Sequence, residues 1–170
     1  MVFIYNYSHI FNVNIEWNRK TITLLAFLAV FPNVLGLFHA DVLGINLHFF
    51  QYLIFLAAII YGPLGGLAAG AFGSVWTAAS MHNPYILIGN VILGFLAGLF
   101  IRLRWNVILA VLAAYIIQMP WLWLTDVYLA GMPTQAVNMI VIALFFSDLI
   151  MGFLAGLSYK HLKDYIKIIP

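Results

Sequence analysis

A chain of 170 residues that is 65% hydrophobic and 7% charged, with a mean hydropathy of +1.06, lies far from the roughly 25% charged of a soluble domain and belongs in a membrane. Seven Lys and Arg against five Asp and Glu give a net charge of +2 with no basic run longer than two residues, which excludes a nucleic-acid surface. Cys is absent, which excludes disulfides, thiolate metal sites and Cys nucleophiles.

Residues 1–20 open with MVFIYNYSHIFNVNI, apolar but without a basic start or a small-residue cleavage site, and read as an N-terminal interfacial segment rather than a signal peptide. Turn formers and charges then cut the chain into six apolar runs, about residues 21–37, 43–61, 63–80, 85–101, 106–124 and 136–159. Each is long enough, with tilt, to cross a core of about 30 Å as a helix. The expectation is an all-α integral membrane protein: a single six-transmembrane-helix bundle over 21–165, with a basic tail over 160–170. Six spans put both ends of the chain on one side. Arg19, Lys20, Arg102, Arg104, Lys160, Lys163 and Lys167 all fall on that side, so the positive-inside rule makes the N- and C-termini cytoplasmic in a multi-pass protein of the cell membrane.

Inside, Tyr61-Gly62-Pro63 joins the second and third runs tightly, and IRLRWN joins the fourth and fifth. Outside lie the longer loops FHADVLGIN (38–46), MHNPY (81–85) and TDVYLAGMPTQ (125–135), where chemistry is expected.

One phrase occurs twice, as NVILGFLAGL (90–99) and DLIMGFLAGL (148–157). Gly94 with Gly98, and Gly152 with Gly156, make small-xxx-small faces on which helix backbones can approach, as do Gly66 and Gly70 in the third run. A polar residue precedes each copy. Asn90 stands twelve residues before Arg102 and Asp148 twelve before Lys160, a rise of about 18 Å in a helix, so both sit at one depth. An ionisable group at that depth is costly and marks a candidate functional site. Two readings stand side by side: Asn90 and Asp148 face a polar cavity in the outer half, or a neutral Asp148 bonds to a neighbouring helix with Asn90 as interhelical glue.

Gln51, Trp76, Gln118, Trp121, Trp123 and Asn138 lie in the outer halves of their runs. The tryptophans are either interfacial belt residues or, with the amides and Asp148, a site for a flat heteroaromatic ligand. His39, His48 and His82 with Asp41 are either solvated or gather a divalent metal such as nickel, cobalt or zinc. There is no GxxxxGK[ST], no Gly-Lys pair and no HExxH, so neither ATP hydrolysis nor enzyme activity is expected of this chain. A lone intramembrane acid and a parallel repeat also speak against a self-sufficient proton-driven carrier.

YGPLGGLAAGAFGS (61–74) followed by HNPYILIGNVILGFLAGL (82–99), and LAGMPTQAVNMIVIALFFSDLIMGFLAGLSYK (129–160), resemble the substrate-binding S components of energy-coupling factor (ECF) transporters of the ABC type. The resemblance runs over about residues 21–165. It implies capture of a vitamin or related micronutrient from outside and delivery by toppling in the membrane. It implies no cofactor in this chain, because ATP is used by partners: a membrane coupling (T) subunit and two cytoplasmic ATPase subunits. It further implies a ligand near Asn90, Asp148 and Asn138, with His39 and Asp41 on a lid and His82 and Asn83 in the next outer loop. The family's AxxxA contact with the coupling subunit on span one is here Ala26 and Ala29, an A-x-x-A spacing. Nickel and cobalt members begin Met-His; this chain begins Met-Val, against a metal substrate. The alternatives are a non-transporting scaffold resembling the rod-shape-determining membrane proteins, and a metal-ion (nickel or cobalt) importer component.

Overall fold

The computed structural model describes residues 11, 15, 17–42 and 45–163, so most of the interfacial segment 1–20 and the tail from residue 164 lie outside the described residues. Helix α1 (Arg19–Val30) begins at a reciprocal cap. Asn18 Oδ1 accepts from the Lys20 and Thr21 N–H groups at 3.0 and 3.1 Å, and Thr21 Oγ1 accepts from the Asn18 N–H at 3.0 Å. A short α2 (Pro32–Leu35) leads into the antiparallel hairpin of β1 (His39–Val42) and β2 (Ile45–His48), with His39 opposite His48 and Asp41 opposite Asn46.

Residues 45–48 are thus strand, where the sequence reading began a helical run at about residue 43. Ile-Asn-Leu-His alternates apolar and polar with the two-residue period of a strand, and the helical run starts only at Gln51.

Helix α3 (Gln51–Gly73) is not a straight rod, because Gly62 holds φ 72° and ψ −154° within it, immediately before Pro63. Residues eight apart in a continuous helix are separated by about 12 Å. Here a Cβ placed on Gly66 would lie 3.0 Å from the Ala58 Cβ, and one on Gly65 would lie 2.7 Å from the Ala57 carbonyl oxygen. The chain therefore folds back on itself at Gly62, in a backbone conformation open only to glycine. Arg102 braces the reversal: its Nη2 donates to the Ile60 carbonyl at 3.2 Å, satisfying an acceptor that the end of the first arm leaves without a helical partner.

A second interruption follows at Ser74, between α3 and α4 (Val75–Ser80). Asn33 stitches it: Nδ2 donates to the Phe72 carbonyl at 2.7 Å, and Oδ1 accepts from the Trp76 N–H at 2.8 Å. Then come α5 (Tyr85–Arg102), α6 (Val107–Leu124), a π-helical turn (Thr125–Leu129) and α7 (Thr134–Leu162).

Among the described residues, four helical stretches are long and apolar enough to cross a membrane: Gln51–Ser80, Tyr85–Arg102, Val107–Leu129 and Thr134–Leu162. The chain is a helical membrane protein, with the folded-back α3 at its centre contributing Ile54, Phe55, Ala57, Ala58 and Tyr61 to the core. The outer helices turn Ile88, Ile116 and Phe153 outward, as lipid-facing helices do.

The second arm of α3 packs backbone to backbone on α5. A Cβ on Gly66 would fall on the Gly94 carbonyl, one on Gly70 on the Asn90 carbonyl, and one on Gly98 would lie 2.6 Å from the Gly62 carbonyl oxygen. The second copy of the repeated phrase packs differently. A Cβ on Gly152 would lie 3.0 Å from the Val111 side chain, and one on Gly156 would lie 3.6 Å from Val107. On α1, Ala29 is buried while Ala26 is exposed. Tyr61 Oη donates to the Thr21 carbonyl at 2.6 Å, Arg102 reaches Ile60, and Val107 neighbours Gly156. These contacts gather Arg19, Lys20, Arg102, Arg104 and Lys160 at one end of the bundle.

Candidate functional site

At the opposite end, a cavity of about 490 Å³ opens between α4, α5, α6 and α7 beneath the end of the β-hairpin. Small-molecule sites occupy roughly 300–1,000 Å³ and are mostly apolar with a few directed polar groups. The wall here has that character: Phe50, Met81, Ile86, Leu122 and Ile140 supply apolar surface, while His48, Thr77, Asn90, Gln118, Trp121 and Asp126 supply polar atoms.

The π-helical turn positions Asp126. One extra residue per turn widens the end of α6, and the Ala130 N–H closes the turn on the Thr125 carbonyl at 2.8 Å. Asp126 is thereby only 4% exposed, although it sits at the mouth of a loop. Asn83 Nδ2 donates to its Oδ1 at 2.6 Å, and Asn83 Oδ1 in turn accepts from the Tyr85 N–H at 3.1 Å. The Met132 N–H donates to the Asp126 carbonyl at 2.9 Å, tying the α6–α7 connection to the same point.

Trp121 is fixed by a 3.3 Å bond from its Nε1 to the Tyr85 carbonyl, and Asn90 by a 3.1 Å bond from its Nδ2 to the Ile86 carbonyl. Between them Gly89 leaves the wall open; a Cβ there would lie 3.3 Å from Gln118 Nε2 and 3.5 Å from Trp121 Cδ1. Gln118 Oε1 and Thr77 Oγ1 are buried and accept no hydrogen bond among the described residues. Strand β2 is anchored beside the cavity by the His48 N–H, which donates to Ser147 Oγ at 3.1 Å.

Of the residues singled out in the sequence, His48, Asn90, Gln118 and Trp121 line this cavity, and Asn83 is buried behind its wall as the partner of Asp126. Asp148 is 1% exposed and does not line it; it sits one turn beyond Leu144, the last lining position of α7. Neither of its carboxylate oxygens has a hydrogen-bond partner among the described residues, and Tyr115 is an electrostatic neighbour. Gln51 Oε1 is unpartnered in the same way. Asn138 lies outside the lining and accepts from Trp123 Nε1 at 3.0 Å. Trp76 is 47% exposed on the surface of α4, and His82 is exposed in a left-handed turn with φ 51°. Asp41 is exposed on β1, and the side chain of His39 lies outside the described residues. Among the described residues no three His, Asp or Glu side chains gather to hold a metal ion.

Sequence reasoning pointed to the loops 81–85 and 125–135 without singling out Met81, Tyr85 or Asp126 in them, and it missed Thr77. The available signal was position: Asp126 stands two residues past the end of the apolar run of α6 at Leu124. Comparison with protein-family models, with curated proteins and with solved structures finds no match to this chain.

Proposed function

We propose that the chain is the substrate-capture subunit of an ECF-type importer, binding a vitamin-like small molecule from outside and handing it over by toppling, driven by partner ATPases. The observation that carries this reading is the cavity of about 490 Å³ at the end of the bundle away from the basic residues. A site at the end that the positive-inside rule turns outward suits capture from outside, and the lack of any phosphate-binding loop suits a subunit energised by others.

In this reading the bundle has six spans with both termini cytoplasmic. The reversal at Gly62 divides Gln51–Ser80 into two crossings, and α1 with α2 supplies a further one. Ala26 and Ala29 on α1 are offered to the membrane coupling subunit. The hairpin β1–β2, which carries His39 and Asp41, covers the cavity as a lid.

Co-expression of the chain with a coupling subunit and two ATPases from the same genome tests the proposal. Purification through a tag on this chain should yield a complex of all four. A well-folded chain that never joins them would remove the importer reading and leave the scaffold.

A further inference from the structure

Three side-chain N–H bonds tie down the cavity's wall and the layer behind it: Asn83 Nδ2 on Asp126, Asn90 Nδ2 on the Ile86 carbonyl and Trp121 Nε1 on the Tyr85 carbonyl. The Asp126 carboxylate receives a single side-chain bond, on Oδ1, among the described residues.

Among the described residues, Asp126 is the one carboxylate of the lining, and no Lys or Arg is part of it. An anionic ligand would enter a low-dielectric site holding a like charge and no lysine or arginine. A neutral ligand can donate a hydrogen bond to the buried carboxylate but leaves its charge unpaired, which is costly. A cation with N–H groups pairs with Asp126 in both charge and hydrogen bonding.

We propose that this cavity takes an organic cation: a flat or apolar body bearing an ammonium, amidinium or protonated ring nitrogen that donates to Asp126, with Asn83 holding the carboxylate in place. The apolar wall and the ring of Trp121 take the body of the ligand, and an indole face attracts a cation as well. The inference rests on the reading of the cavity as a ligand site and adds the charge of what enters it.

The test uses the purified full chain and three probes of one shape at pH 7.5: 2-naphthamidine, a cation; 2-naphthamide, neutral; and 2-naphthoate, an anion. Isothermal titration should give saturable binding of the amidine at least about ten-fold tighter than the amide, with the naphthoate weakest, as a charge-assisted hydrogen bond requires. Asp126→Asn should bring the amidine down to the affinity of the amide. Amide or naphthoate binding as tightly as the amidine, or an amidine preference that survives Asp126→Asn, would overturn the inference while leaving the cavity a ligand site. The comparison of probes on the unaltered chain stands even if the variant does not fold. If no probe binds, mass spectrometry of any small molecule released on denaturing the purified chain decides: a cation upholds the inference, and a neutral or anionic compound overturns it. No probe bound and no molecule released would contradict the reading of the cavity itself.

Discussion

Asn83 and Asp126, 43 residues apart in the chain, meet in a buried 2.6 Å hydrogen bond that joins the α4–α5 loop to the π-helical end of α6. Removing the donor leaves a carboxylate that is 4% exposed without its side-chain partner. Asn83→Ala should therefore cost about 1–3 kcal/mol, the range for a buried group left unsatisfied. Thermal unfolding followed by tryptophan fluorescence in detergent checks this. An unchanged midpoint would mean that the bond does not hold the two loops together.

The two copies of GFLAGL should respond differently to the same substitution. At Gly94 a methyl group would meet the Gly66 carbonyl, so Gly94→Ala must separate two backbones and should abolish a monodisperse elution profile. A methyl group at Gly156 would lie 3.6 Å from a Val107 methyl, an ordinary contact, so Gly156→Ala should elute as the parent does. Equal tolerance at both positions would contradict the backbone packing of α3 on α5.

The reversal at Gly62 can be measured directly because the chain has no Cys of its own. Spin labels on Phe49→Cys and Ser80→Cys would be about 46 Å apart on a straight helix. The folded-back α3 brings the neighbouring Phe50 and Met81 to one cavity, so the label pair should give a distance at the short limit of the method. A long, sharp distance would restore the single rod.

Much of this architecture is legible in residue patterns, and the exceptions have physical causes. The reversal falls on Tyr61-Gly62-Pro63, where a glycine able to take positive φ precedes a residue that cannot donate a hydrogen bond. The close approach of α3 and α5 falls on glycines spaced four apart. The hairpin at 39–48 was harder to read, since two four-residue strands carry too few alternations to stand out beside long apolar runs. Asp126 was hidden for another reason: its burial comes from a π-helical turn and a partner 43 residues away, neither of which leaves a local signature. Asp148 illustrates the limit of depth arguments. Helical rise gives its level, while which side of α7 meets the cavity depends on packing.

Asp148 donates nothing and accepts nothing among the described residues. Asp148→Asn removes no hydrogen bond seen there, and it should retain the elution profile and unfolding midpoint of the parent. A sharp loss of stability would contradict this unpartnered placement of Asp148.

The central claim is that the cavity between α4, α5, α6 and α7 holds a small molecule. Native mass spectrometry of the gently purified chain tests it most directly, with Gly89→Leu as the comparison, because a side chain there would grow between Gln118 and Trp121. The expected result is one small organic molecule per parent chain and none on the Gly89→Leu chain. A parent chain that carries none, and whose unfolding midpoint is unmoved by vitamins, nucleobases and organic cations, would contradict the account.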